Sequence, residues 1–95
     1  PYAGYSDPQV MTSATTVPAN GVGVVFFQAG SSTNQTLTWG GGTTGDANWY
    51  QTAAGNSQEI GSGHKASAGS WTPSVSGSTQ LGYNDLAFVV IAWGP

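Results

Sequence analysis

The strongest pattern in the chain is the apolar run at residues 86–93 (LAFVVIAW). A strand turns alternate side chains to opposite sides, so Leu86, Phe88, Val90 and Ala92 share one face. Ala87, Val89, Ile91 and Trp93 share the other. Both sets are apolar, and both faces call for shielding from water. One fills the core of the domain. The other is shielded either by the chain itself, which makes this a central strand, or by a second subunit.

Weaker strand signals precede it. Residues 10–17 (VMTSATTV) are rich in β-branched side chains and run into Pro18-Ala19-Asn20-Gly21, where Asn-Gly marks a turn. Residues 23–28 (GVVFFQ) predict a buried strand, and 29–33 a turn cluster. Residues 34–39 (NQTLTW) alternate, with Leu37 on one face and Thr36 and Thr38 on the other. A flexible glycine tract at 40–45 leads into a strand at 46–52 (DANWYQT), followed by a turn at 54–56. Residues 57–60 and 64–67 predict two short strands, and 68–78 a loop that carries Trp71 and Pro73. Good helix formers never cluster, and glycines interrupt every long window. Short strands with turn signals at regular intervals predict an all-β protein, a small antiparallel β-sandwich. At 95 residues it is a single domain over 1–95.

Composition narrows the function. Only 5% of residues are charged, against roughly 25% in an ordinary soluble domain. Lys65 is the one lysine and there is no arginine; the carboxylates are Asp7, Asp46, Glu59 and Asp85, and the net charge is −3. Nucleic acid and anionic membranes both need basic residues, so neither is an expected partner. No phosphate-cradling loop motif occurs. The absence of cysteine removes disulfides, thiol catalysis and cysteine-ligated metals, and leaves the redox compartment open. The apolar run at 86–93 is too short for a transmembrane segment. The chain opens at Pro1 without a signal-peptide pattern, which fits either a removed signal or an initiator methionine clipped before proline. Hydroxyls and amides in place of charges, with four Trp and four Tyr, suit a neutral, hydroxyl-rich ligand such as carbohydrate.

Two segments carry a family likeness. Residues 17–39 (VPANGVGVVFFQAGSSTNQTLTW) and 83–93 (YNDLAFVVIAW) resemble the opening and closing strands of the small calcium-dependent fucose/mannose-binding lectins of bacteria. The resemblance implies a β-sandwich that binds monosaccharides through paired calcium ions and assembles as a dimer or larger. Asn84 and Asp85 match the family's metal-binding motif. Residues 77–82 (GSTQLG) lack the carboxylates the family has there, and the chain ends Gly94-Pro95 instead of on the family's terminal glycine. Calcium takes six to eight oxygen ligands, several of them charged, so neither a metal nor another cofactor is expected.

The densest candidate chemistry is Asp46-Ala47-Asn48-Trp49-Tyr50. On a regular strand Asp46, Asn48 and Tyr50 share a face and Trp49 takes the other. A carboxylate and an amide pair with neighbouring sugar hydroxyls, and an aromatic ring lies against the sugar's C–H face. The preceding glycines allow a ligand close to the backbone. The competing structural role puts Trp49 in the core and makes Asp46 and Asn48 turn caps. His64, between glycine and lysine, offers a further hydroxyl partner. Trp39 borders Gly40 at a strand end, and Trp71 sits in a Ser/Pro/Gly loop as a stacking platform, whereas Trp93 is expected to be packed. Asp46, Asn48, Trp49, Tyr50, His64, Trp71 and Trp39 are therefore the candidate ligand-binding residues. No nucleophile elbow surrounds Ser62 or Ser70, and no pair of the four acids is singled out for glycoside hydrolysis. The expectation is a non-catalytic, homo-oligomeric lectin. The alternative is a structural, adhesive or toxin-like β module that meets protein or lipid.

Overall fold

The computed structural model describes residues 10–31, 33–52, 57–78 and 82–95, with the backbone alone at 10–12 and 82–86. The turn expected at 54–56 and the carboxylate of Asp7 lie outside the described residues, as do the side chains of Asn84 and Asp85. Nine strands and no helix occur among the described residues. They are β1 (Val10–Thr12), β2 (Thr15–Val17), β3 (Val22–Gly30), β4 (Thr38–Gly40), β5 (Thr44–Gln51), β6 (Gln58–Lys65), β7 (Gly69–Trp71), β8 (Ser74–Ser76) and β9 (Gly82–Trp93). Every pairing is antiparallel. One layer is a four-stranded sheet in the order β5-β6-β3-β9. Two small sheets, β1-β8-β4 and β2-β7, supply strands opposite it. The expected all-β, antiparallel sandwich-like fold is what forms.

The core follows the period of β3. Val25, Phe27 and Ala29 point inward and are buried, while Val24 and Phe26 point outward. Phe27 and Ala29 meet Val75 of β8, with Leu37, Trp39 and Phe88 packed around them. Val25 meets Val17 of β2 and Trp71 of β7, flanked by Trp39, Phe88, Val90 and Ala92. Thus the Phe88–Val90–Ala92 face of β9 is the one the core uses. Burying these side chains is the main favourable term in forming the two layers.

Several boundaries differ from the sequence expectation. Residues 10–17 break into β1 and β2, which join different sheets. Residues 34–37 are irregular because Gln35 is drawn inward by hydrogen bonds, so only Thr38–Gly40 remain as β4. The expected gap between two short strands at 57–67 is bridged by one continuous strand, β6. Its glycines do not break the strand. They lie under the Trp39 indole: a Cβ on Gly61 would sit 3.2 Å from Trp39 Cζ2, and one on Gly63 would sit 3.5 Å from Cε3. The 68–78 segment contains β7 and β8 instead of a plain loop. The turn before β3 forms as expected: Gly21 N–H donates to Pro18 O at 2.9 Å, with Asn20 at φ 60°. Asparagine tolerates that left-handed conformation better than most residues.

Candidate functional site

The site is shaped by one irregularity. In the β5–β6 pairing Gly45 opposes Gly63 and Ala47 opposes Ser62, so Asp46 is an extra residue in a β-bulge. The bulge resets the in–out alternation. Asp46 joins His64 on the outer side of the sheet, with His64 Nδ1 2.8 and 2.7 Å from the two carboxylate oxygens. Beyond the bulge, Asn48 opposes Gly61 and Tyr50 opposes Glu59, which are inward positions.

The expected single face of Asp46, Asn48 and Tyr50 is therefore corrected. Asn48 Nδ2–H donates to Gln35 O at 3.2 Å, and the Tyr50 hydroxyl donates to Ser31 O at 3.2 Å. Through these carbonyls the two side chains fasten Gln35 and Ser31 to the inner face of the sheet. Gln35 completes the clamp: its Nε2 donates to Ser31 Oγ at 2.9 Å, and its backbone N–H donates to Glu59 Oε1 at 2.6 Å. Glu59 is fully buried, and its second oxygen meets no donor among the described residues. Burial pushes its carboxyl above the ordinary value of 4.5, and the bond from Gln35 only partly opposes this.

The four indoles separate. Trp49, on the outer face beside Ile60, is 50% exposed, which excludes the core role considered for it. Trp71, expected as a stacking platform, is 1% exposed. It lies over Gly23, where any Cβ would overlap its six-membered ring, and its Nε1–H donates to Thr43 Oγ1 at 3.0 Å. A ring so enclosed cannot meet a ligand, so Trp71 is a core residue. Trp39 is half-buried across Gly45, Gly61 and Gly63. Gly45, one of the glycines expected to admit a ligand, admits this indole instead. With Leu37, Gly45, Asp46, Ala47 and Asn48, Trp39 lines an open hollow of about 240 Å³. Trp93, expected to be packed, is instead half-exposed.

Three of the candidate residues are thus gathered on the outer face of β5–β6. Trp49 stands at one end and the Asp46–His64 pair at the other. Ala47 and Ser62, paired in register, form the floor between them. The four steps from Ile60 to His64 span about 13 Å along the strand. Asp46 holds Nδ1 of His64, which leaves Nε2 for another partner. Among the described residues no three His, Asp or Glu side chains cluster closely enough to hold a metal ion. No family model, no curated protein and no solved structure matches the chain.

Proposed function

We propose that the protein binds neutral carbohydrate, without catalysis, on the outer face of β5–β6. The observation that carries this reading is the bulge that turns Asp46 to His64 on the face where Trp49 is half-exposed. Trp49 supplies the apolar ring for a sugar's C–H face. The Asp46 carboxylate accepts from hydroxyls, and His64 Nε2 and the Ser62 hydroxyl exchange hydrogen bonds with them. Small Ala47 leaves room above the strand. The low charge of the chain favours an uncharged partner, and the partial likeness to bacterial lectins agrees with a saccharide.

Glycan-array screening followed by titration of the best ligand tests this. Trp49→Ala is expected to weaken binding about tenfold or more, equivalent to about 1.4 kcal/mol. Because the ring is half in water, folding stability should change by less than about 1 kcal/mol. Asp46→Ala and His64→Ala should also weaken binding. Their exposed pair contributes under about 1 kcal/mol to folding, so a binding loss is not an unfolding artefact. Tyr50→Phe, which removes only a loop anchor, should bind as wild type. Folded wild-type protein that binds no glycan at high concentration, or a Trp49→Ala variant of unchanged affinity, would overturn the reading.

A further inference from the structure

The other half of the same sheet face carries different chemistry. Val24 pairs with Ile91, Phe26 with Val89, and Val22 with Trp93. Directly paired residues point to the same side, so these six form one continuous patch on β3 and β9. Phe26, Val89, Ile91 and Trp93 are each 47–51% exposed. No ionisable side chain stands among the six. This is the face of β9 that the core does not use.

We infer that this patch is the interface for a second copy of the chain. Its exposed surface comes to roughly 500 Å² per copy, in the upper part of the range for the largest apolar patch of a monomer, which is often a functional one. Two copies would bury about 1,000 Å² from these side chains alone, which is the least that a specific interface needs. Charge also selects the occupant. A net charge of −3 with a single lysine opposes docking to an anionic lipid surface. A two-fold axis brings the same patch to itself, and a patch without charge meets no repulsion there. Aligned sheets pack about 10 Å apart with their side chains interdigitating, which suits alternating rings and β-branched side chains.

Sheet order adds a consequence. With strands in the order β5-β6-β3-β9, a two-fold axis running between β3 and β9 lays β9 of each copy over β3 of the other. Each β5 then projects beyond the contact, and Trp49, Asp46 and His64 stay open at both ends. The dimer is bivalent, and linking two weak sites raises avidity on a multivalent surface by about 100-fold or more.

Sedimentation velocity in sugar-free buffer, over micromolar to submillimolar protein, tests the interface independently of any glycan. The wild type is expected at twice its 9.6 kDa chain mass. Ile91→Glu brings two like charges together near the axis and should raise the dimer dissociation constant about 100-fold or more. Its circular dichroism should match the wild type, because the side chain is already half in water. Phe26→Ser, a milder change on β3, should weaken the dimer about tenfold. Monomeric Ile91→Glu should retain single-site glycan binding and lose avidity. Three outcomes overturn the inference: a monomeric wild type at the highest concentration, a dimer untouched by both substitutions, or a monomer that sediments with neutral phosphatidylcholine vesicles.

Discussion

Replacing Trp71 with alanine is expected to remove about 3–5 kcal/mol of folding stability. A domain of this size has only about 5–10 kcal/mol in total, so the variant should be largely unfolded at moderate temperature. The indole is 1% exposed and joins Val17 of β2 to Val25 of β3, with Val90 and Ala92 of β9 beside it. With Val17 it forms the contact through which the small β2-β7 sheet meets the four-stranded one. Beneath the ring lies Gly23, which has no side chain to relax into the space left behind. A cavity that cannot collapse gives a loss near the top of the range. The complementary substitution, Gly23→Ala, should be comparably damaging, because its methyl would overlap the Trp71 ring. The two effects are coupled. In a Trp71→Leu background the ring is gone, and Gly23→Ala should cost distinctly less than in the wild type. Thermal or urea denaturation measures the wild type and all four variants. The midpoint for Trp71→Ala should fall by more than about 10 °C. A loss under about 1 kcal/mol, or strictly additive effects in the double variant, would contradict this packing.

What the sequence makes legible follows from the range of the interactions involved. The two-sided apolar pattern of β9 is a local, period-2 property that predicts shielding for both faces; the core covers one, and Val89, Ile91 and Trp93 on the other are half-exposed. Period alone cannot say which face turns inward; that depends on Val17, Val25 and Trp71, which are distant in sequence. The local pattern therefore predicts a packed Trp93, and the ring is half-exposed. The Gly61-Ser62-Gly63 segment looks like a strand break when only neighbours are considered. It becomes continuous strand once Trp39, more than 20 residues earlier, lies across the same glycines. Trp71 reads as a loop residue for the same reason, since its partners Gly23 and Thr43 are remote. At the site, the residue types of Asp46, Trp49 and His64 are visible in the sequence, but their grouping depends on the bulge. Gly45, which reads as the end of the glycine tract and lies within β5, is the one local hint of it. Counting alternate residues without that extra position places Asp46 with Asn48 and Tyr50, and so on the wrong side of the sheet.

Glu59 should give the protein an inverted pH dependence of stability. The side chain lies on the inner face of β6, between Tyr50 of β5 and Ala29 of β3. One oxygen accepts the Gln35 N–H, and the other meets no donor among the described residues. Desolvation raises its pKa above 4.5, outweighing the Gln35 bond. The folded chain thus holds this proton more tightly than the unfolded chain does. Below pH 4.5 both states are protonated and the contribution to stability is fully present. As pH climbs from there through the folded pKa, the unfolded state releases its proton first, and stability falls. A carboxylate paired with a cation behaves in the opposite way, losing stability as pH falls. Glu59→Gln keeps an oxygen for the Gln35 N–H and carries no charge to bury. At neutral pH it should be more stable than the wild type by about 1 kcal/mol, the scale of relieving one unsatisfied buried polar group. At pH 4 the advantage should shrink or vanish. Denaturation midpoints of both proteins, measured at fixed protein concentration across pH 4–8, isolate Glu59 because every other titrating group is shared. Parallel pH profiles for the two would show that this carboxyl keeps the same proton affinity in the folded and unfolded chains.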